Sequence, residues 1–311
     1  MSPHTHIFAH GKLLLAGEYF VLDGATALAV PTRLGQHFDI RNSPDWPSEI
    51  LWTSFTHDGK EWFRARLAGD LELLDTTSPE LGERLRRIFL EAQKLGAIFP
   101  QGHIAVVSRL DFPRNWGLGT SATLIHSLAK WLRVDAYSLL AKTFGGSGYD
   151  LACAESQTPI FYQVKDSTPN WQPVLFAPPF REKIGFIHLG QKQNSRDGIR
   201  TYRQKGHVDA GRLQEISFLA KALSHQDTVE AFIQIIEQLE QHTGDWIQQT
   251  PIKPRRFADF EGGIKSLGAW GGDFIMAVSP NGQSYIRQYF FRKGLDTFVT
   301  YDEMILPIDG V

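Results

Sequence analysis

Apolar residues recur along the chain at two spacings, which together predict a mixed α+β protein. Alternating or continuous apolar runs between Gly, Pro, Asn and Asp breakers predict strands at 12–16, 25–32, 38–40, 50–53, 103–110, 160–164, 183–189, 273–279 and 284–291. Apolar positions at helical spacing predict helices at 79–95, 121–133, 151–156, 211–223 and 227–241. The stretches rich in Pro (169–179) or Gly (262–272) are expected to be loops.

The order of these elements predicts two domains. The chain has 311 residues, about twice the roughly 150 residues that one domain usually takes. A second run of strands and helices begins just after the Pro-rich stretch. We therefore expect an N-terminal domain over 1–180 and a C-terminal domain over 181–311, each a lobe of α+β structure.

Composition and charge argue against several classes of protein. Hydrophobic residues make up 42% and charged residues 21% of the chain, which excludes a disordered protein. Lys and Arg number 32 against 34 Asp and Glu, which argues against binding nucleic acid through bulk charge. The single cysteine, Cys153, excludes an internal disulfide. The N-terminus has no secretion-signal pattern and no long apolar run occurs, so we expect a cytoplasmic protein without a membrane partner.

A glycine-rich segment, Pro113–Ala122, leads directly into a predicted apolar helix. Glycines let a backbone approach a ligand closely, and the N-terminus of a helix offers N–H donors and a partial positive charge. We therefore expect Gly117 and Gly119 to bring backbone N–H groups to a phosphate. Thr120 and Ser121 add hydroxyls, one of which is suited to bind the Mg²⁺ that accompanies a nucleotide.

This segment also fits other interpretations. It lacks the Lys-Ser/Thr pair that follows the glycines of a Walker A loop. Its glycines and Ala122, with Asp135 downstream, match a relaxed dinucleotide-binding pattern, but residues 111–116 separate them from the strand end where that pattern begins. A Gly-rich turn capped by a hydroxyl side chain, with no ligand, stays open.

Two further segments carry residues suited to catalysis. Lys12 and Glu18 lie in an apolar strand and turn, where an ammonium must reach solvent, a carboxylate or a ligand anion. A strand-end lysine exposed to water is the alternative. Asp150 follows a Gly/Ser loop at the start of a predicted helix, where an acid also has the ordinary role of a helix N-cap. The loop 145–148 resembles a serine nucleophile elbow, but Tyr149 replaces the last glycine of that motif.

Two more patterns are less specific. A glycine-dense loop from Lys265 to Asp273 runs into an apolar strand, and its glycines permit either close packing or room for a substrate. His4, His6 and His10 suggest a metal site, but His-rich termini without accompanying acids are usually flexible surface. We therefore expect no metal at these histidines.

Taken in order, these segments resemble the GHMP kinase superfamily of galactokinase, homoserine, mevalonate and phosphomevalonate kinases. Its first motif is matched from Gly11 to Pro31, its phosphate-binding motif by Pro113–Ala122, and its C-terminal motif by Lys265–Gly272. Residues 11–19 are most similar to phosphomevalonate kinases, with mevalonate kinases close. The resemblance covers most of the chain and implies an N-terminal lobe with a left-handed βαβ connection and a ferredoxin-like C-terminal lobe.

The resemblance also implies roles for particular residues. Asp150 matches the catalytic aspartate that accepts the proton of the substrate hydroxyl, and Lys12 matches the lysine that pairs with it. The positions of the phosphate-binding loop are Gly117, Leu118, Gly119, Thr120, Ser121 and Ala122, with Ser121 as the Mg²⁺ ligand. The positions assigned to substrate binding are Glu18, Tyr19, Ser147, Gly148, Arg196, Gly268, Ala269, Gly271 and Gly272.

The sequence departs from the superfamily pattern at two positions. Trp270 replaces a glycine of the C-terminal motif and is expected to narrow the substrate pocket or reshape its phosphate side. Leu139 stands where mevalonate kinases carry a carboxylate as a second Mg²⁺ ligand. A phosphorylated substrate also needs basic partners, for which Lys192, Arg196 and Arg200 are candidates.

The resemblance therefore predicts a kinase that uses ATP and Mg²⁺ to phosphorylate a mevalonate-pathway acid, either phosphomevalonate or mevalonate. A sugar, homoserine or another alcohol is the alternative acceptor. A protein that retains the fold for binding, without catalysis, is the alternative function. The expected partners are ATP and a small molecule, without nucleic acid, and the expected state is a monomer or a homodimer.

Overall fold

The computed structural model describes residues 4–45, 47–190, 195–268, 270 and 273–308, apart from the side chains of 195–197. Its strands are β1 (His4–Ala16), β2 (Ala27–Ser43), β3 (Glu49–Phe55), β4 (Glu61–Ala68), β5 (Leu73–Thr76), β6 (His103–Leu110), β7 (Ile160–Lys165), β8 (Thr168–Pro173), β9 (Ile184–His188), β10 (Gly263–Leu267), β11 (Phe274–Val278) and β12 (Phe298–Thr300). Its helices are α1 (Pro79–Lys94), α2 (Thr120–Leu132), α3 (Ala136–Thr143), α4 (Tyr149–Glu155), α5 (Ser195–Gln204), α6 (Ala210–Leu223), α7 (Val229–Ile247), α8 (Ile252–Arg256), α9 (Gly282–Arg292) and α10 (Tyr301–Met304). The mixed α+β class predicted from the apolar spacing is confirmed.

One compact unit contains Met1–Gly11, Leu34–Arg114 and Gly119–Glu155. Its strands are hydrogen-bonded in the order β5-β4-β3-β6-β2, and they are antiparallel except for the parallel pair β3 and β6. Alternate residues of β6 are buried, as expected for a strand with one face against a core. That core includes the apolar faces of α1 and α2.

The other compact unit contains Lys12–Arg33, Asn115–Leu118 and Ser156–Val311. Its four-stranded antiparallel sheet has the order β10-β11-β9-β12. Every residue of β9, β10 and β11 is buried. β11 is a continuous apolar run in the sequence, whereas β10 buries the polar side chains of Lys265 and Ser266. In the same unit, the first residues of β2 pair with β7, and β7 pairs with β8.

The structure corrects several predicted elements. The strand predicted at 284–291 is wrong, because this segment lies in α9, where Ile286, Tyr289 and Phe290 are buried at helical spacing. Aromatic residues favour strands locally, and here the helical packing outweighs that preference. β10 lies inside the glycine-rich stretch expected to be a loop. β8 lies inside the Pro-rich stretch, and its prolines are tolerated because it ends the sheet order as an edge strand.

The N-terminal histidines lie in β1, so the expectation of a flexible surface is wrong. β1 pairs with β2, and His10 is buried. His6 Nδ1 lies 3.0 Å from Asp39 Oδ1, and His4 Nε2 lies 3.4 Å from the same oxygen. In the part of the chain that the structure describes, no group of three or more His, Cys, Asp or Glu side chains is suited to hold a metal ion.

The two compact units alternate along the chain, and β1 and β2 each run from one unit into the other. The predicted domain boundary at residue 180 is not one of the points where the chain passes from one unit to the other, and it stays a prediction. The left-handed connection and the ferredoxin-like lobe also stay predictions. Among the described helices, none has the length and apolar character needed to cross a bilayer.

Candidate active site

The phosphate-loop candidate, Pro113–Ala122, turns the chain into α2 through two glycines with positive φ. Gly117 has φ of 69°, and Gly119 has φ of 93° at the N-cap position of the helix. A glycine cap offers no hydroxyl, and no side chain caps α2, so the interpretation of a hydroxyl-capped turn does not apply. β6 ends at Leu110, well before the first of these glycines, which also differs from a dinucleotide-binding turn. The N-terminus of α2 therefore places its partial positive charge next to the exposed Ser121.

Lys12 binds this loop through both its backbone and its side chain. Its Nζ donates to the carbonyl oxygen of Gly117 at 2.9 Å, and its backbone N–H donates to that of Leu118 at 3.1 Å. Only 9% of Lys12 is exposed, so the alternative of a water-exposed strand end does not fit. An ammonium group is therefore fixed on the loop, with the carbonyl oxygen of Gly117 as a hydrogen-bond partner.

Asp273 lies against the same glycine. A Cβ atom on Gly117 would lie 2.5 Å from Asp273 Oδ2, so only glycine fits here. Asp273 is buried and follows the C-terminal glycine-rich segment. The sequence pattern includes this residue but assigns it no role in the site. In the structure an acid and Lys12 both contact Gly117.

His188 holds the beginning of the loop on β9. Its Nε2 lies 3.2 Å from the carbonyl oxygen of Asn115, and its Nδ1 accepts from the backbone N–H of Gly190 at 3.3 Å. In these two hydrogen bonds, Nε2 acts as the donor and Nδ1 as the acceptor. The Trp116 ring packs edge-on against Phe274, with ring centroids 5.2 Å apart. Sequence reasoning missed His188, although a histidine inside a fully apolar strand is a usable indication.

Asp150 lies in the first turn of α4, as predicted. The preceding loop has positive φ at Gly145, Gly146 and Gly148, and the carbonyl oxygen of Gly148 accepts from the backbone of the first turn. A carboxylate at this end of a helix is favoured by the helix dipole. Ser147 is half-buried and Gly148 is buried. Asp150 and Lys12 belong to different compact units, so their pairing stays a prediction.

Glu18 is held in a buried cluster of charges with Lys265 and Glu240. Lys265 Nζ donates to Glu18 Oε1 at 2.5 Å and to Glu240 Oε1 at 3.2 Å, and neither carboxylate is more than 3% exposed. Ser266 donates to Glu240 through both its backbone N–H and its hydroxyl, each at 3.0 Å. Glu18 Oε2 is buried without a hydrogen-bond partner among the described residues. The cluster therefore joins the first and the C-terminal motif to α7.

Burial and charge act in opposite directions on the pKa values of this cluster. Burial raises the pKa of Glu18, and the neighbouring ammonium offsets only part of that effect. Burial by itself would lower the pKa of Lys265, but the two carboxylates raise it above its ordinary value. Lys265 is therefore charged at neutral pH, and one cation serves two acids. Sequence reasoning saw Lys265 only as a motif position and missed Glu240, which is far away along the chain.

Tyr19 lies at the centre of a strained turn. Its φ of 63° and ψ of -47° are unusual for a bulky residue, and the backbone N–H of Phe20 donates to the carbonyl oxygen of Glu18 at 2.7 Å across it. Such a conformation costs about 1–3 kcal/mol and persists only where the surroundings hold it. The Tyr19 hydroxyl accepts from the backbone N–H of Trp270 at 3.3 Å, and its ring stacks on Tyr202. Burial raises the pKa of Tyr19, so the hydroxyl keeps its proton.

Several predicted site residues are only partly described. Gly268 has φ of 72°, and a Cβ atom there would lie 3.2 Å from Asp273 Oδ2. Ala269, Gly271, Gly272 and Lys192 lie outside the described residues. Arg196 is in α5, with its side chain outside the description. Leu139 is fully buried in α3, which agrees with a hydrophobic role.

The comparisons with known proteins identify the fold of the chain. The chain has the fold of the GHMP kinases, as the motif resemblance predicts. It superposes on the mevalonate kinase of Methanococcus jannaschii with a TM-score of 0.67 and 14% identity over 96% of this chain and 98% of that one. The phosphomevalonate kinase of Streptococcus pneumoniae, in complex with phosphomevalonate and AMPPNP, gives a TM-score of 0.67 and 17% identity over 95% of this chain and 99% of that one.

A third similar structure, the galactokinase of Lactococcus lactis complexed with galactose, gives a TM-score of 0.68 and 12% identity over 96% of this chain and 93% of that one. No protein-family model matches the sequence, and no curated protein does either. At these identities the likeness establishes the fold, and the roles of individual residues have to be argued from the site itself.

Proposed function

We propose that the protein is an ATP-dependent kinase that phosphorylates a mevalonate-pathway acid, phosphomevalonate or mevalonate. The observation that carries this proposal is the fixation of a buried lysine, Lys12, on the glycine loop through the carbonyl oxygen of Gly117. The fold supports it, because one structure with this fold holds phosphomevalonate together with AMPPNP.

The loop and α2 supply what a triphosphate needs. Gly117 and Gly119 have positive φ, which turns the chain so that α2 begins directly after them. Backbone N–H groups of 117–121 would bind the phosphate oxygens, aided by the helix dipole. The N–H of Ala122 already donates to the carbonyl oxygen of Gly119 at 3.0 Å. The exposed Ser121 hydroxyl fits an Mg²⁺ ion that is held mainly by phosphates and water. Such an ion, when bound, neutralises charge on the β- and γ-phosphates.

In the proposed transfer, an oxygen of the acceptor forms a bond to the γ-phosphorus while the bond from that phosphorus to the bridging oxygen of ADP breaks. If the acceptor is a hydroxyl, its proton passes to the Asp150 carboxylate. If the acceptor is a phosphate oxygen, no proton needs to move, and Asp150 orients the acceptor. Lys12 balances the negative charge on the transferred group. Positioning and electrostatics thus provide most of the rate acceleration.

An ADP-release assay with mevalonate, phosphomevalonate, homoserine and galactose tests the proposal. We expect ADP release with phosphomevalonate or mevalonate, and loss of that release in Asp150→Asn with ATP binding retained. Asp75→Asn, an exposed acid on β5, is the matched control and should keep full activity. ADP release only with galactose or only with homoserine would show that the acceptor is a sugar or homoserine instead. ATP binding without turnover on all four would favour a non-catalytic binding protein.

A further inference from the structure

The side chain of Trp270 leaves the glycine-rich segment and packs on α7. Its Nε1 donates to Glu240 Oε1 at 3.1 Å, and the residue is only 8% exposed. A Cβ atom on Gly244, in the last turn of α7, would lie 3.0 Å from the far edge of the Trp270 ring. The same Cβ atom would lie 2.6 Å from the carbonyl oxygen of Gln249, so both the chain after α7 and the Trp270 ring require glycine here. The Trp270 side chain thus packs on α7, and its expected effect on the substrate pocket stays a prediction.

Trp270 also connects this anchor to Tyr19. Its backbone N–H donates to the Tyr19 hydroxyl at 3.3 Å, while its indole is fixed by Glu240. Glu240 is itself held by Lys265 and by Ser266. The strained turn at Tyr19 is therefore supported by a rigid, buried set of contacts. The Tyr19 oxygen accepts from an amide, and a hydroxyl that accepts can at the same time donate its O–H to another oxygen.

We propose that Trp270 and Glu240 are positioning residues that hold the Tyr19 O–H as a hydrogen-bond donor to an oxygen of the phosphoryl acceptor. This inference rests on the proposed function, together with the assignment of Tyr19 to substrate binding that the motif resemblance implies. The positioning role requires the indole of Trp270, which a glycine at this position would lack. A glycine at 270 would keep the backbone N–H but lose the indole that fixes where this N–H points.

A double-mutant cycle with Tyr19→Phe and Trp270→Phe tests this role. Each single change is expected to raise the KM for the acceptor about five- to tenfold, with the KM for ATP changed less than about twofold. If Trp270 acts through Tyr19, the double variant will be within about twofold of Tyr19→Phe, far from the product of the two effects.

Trp246→Phe is the matched control, since it removes an indole that belongs to α7, the helix on which Trp270 packs. Its Nε1 has no hydrogen-bond partner among the described residues, so the KM for the acceptor should change less than about twofold. Independent, multiplicative effects of Tyr19→Phe and Trp270→Phe would overturn the proposal. An equal rise in the KM for ATP would overturn it as well.

The wild type and the three variants of this cycle also distinguish a failure of this inference from a failure of the proposed function. Urea unfolding measures the coupling between Tyr19 and Trp270 without any turnover. A wild type that phosphorylates no acceptor would refute the proposed function, and the unfolding cycle would then decide whether the two residues act as a unit. Turnover in the wild type together with zero coupling in both measurements would refute the positioning role and leave the proposed function standing.

Discussion

Replacing Lys265 with methionine tests how strongly the buried charge cluster stabilises the protein. Methionine has a similar length but leaves the carboxylates of Glu18 and Glu240 without their shared cation. Removing one partner of a buried ion pair costs about 3–5 kcal/mol. Lys265 is 0% exposed in its ion pairs, so this range applies without a discount for solvent. We therefore expect the free energy of unfolding of Lys265→Met to fall by about 3–5 kcal/mol at pH 7.

Urea unfolding followed by tryptophan fluorescence measures this loss. Lys253→Met is the control, because Lys253 forms an ion pair with Glu237 at 2.7 Å in which the two side chains are 26% and 47% exposed. Exposed pairs of this kind contribute about 0.2–1 kcal/mol. If Lys265→Met loses no more stability than Lys253→Met, the reasoning about the buried cluster is refuted.

The pH dependence of unfolding adds a second readout. The net effect of burial and the two carboxylates is to raise the pKa of Lys265 above its ordinary value of 10.5. A group whose pKa is higher in the folded state stabilises the fold below its unfolded-state pKa and loses that contribution as the pH rises through the folded-state value. The wild type should therefore lose stability above about pH 10.5, and Lys265→Met should lack that part of the decline.

Three further changes act on the glycine loop. Gly117→Ala should weaken ATP binding at least about tenfold, because it combines positive φ with a collision at Asp273, whereas Gly59→Ala, with φ of 81° and open space, should leave ATP binding unchanged. Lys12→Met should lower kcat by about a hundredfold or more, measured by ADP release. His188→Phe keeps an aromatic ring but loses the bond to the loop carbonyl, so the KM for ATP should rise about three- to tenfold.

Each of these expectations has a contradicting result. Equal ATP affinity in Gly117→Ala and the wild type would show that nucleotide does not approach this glycine. A kcat unchanged in Lys12→Met would remove the lysine from the chemistry. A rise in the KM for the acceptor but not for ATP in His188→Phe would show that the histidine acts on the other substrate.

Much of the fold could be predicted from local patterns, because the apolar spacing of a strand or a helix depends only on residues that are close together in the sequence. The bounds of β6 follow directly from alternation, and α1 from apolar residues at helical spacing. The segment 284–291 failed because aromatic residues fit both a strand and a helix, and the packing of α9 decides between them. The strand β10 was hidden by flanking glycines, although its own five residues are all buried.

The residues of the candidate site also fall into two groups, those that local sequence patterns predict and those that only the fold brings together. Gly117 and Lys12 could be found from motifs, because a glycine-rich turn before a helix and a lysine within an apolar run are visible in neighbouring residues. Glu240 and His188 could not, since their role depends on which distant segments the fold brings beside them. Trp270 shows both cases: the sequence marks it as unusual, but only the structure shows that its side chain lies on α7.

The most direct test of the central claim, that Lys12 and Asp150 act on one phosphoryl transfer, is a crystal structure of the protein with AMPPNP and Mg²⁺. The account predicts the γ-phosphate within about 3 Å of Lys12 Nζ and of loop N–H groups, with the Asp150 carboxylate directed at the acceptor side of that phosphate. A nucleotide bound away from the loop of Gly117, or an Asp150 carboxylate directed away from the γ-phosphate, would contradict it.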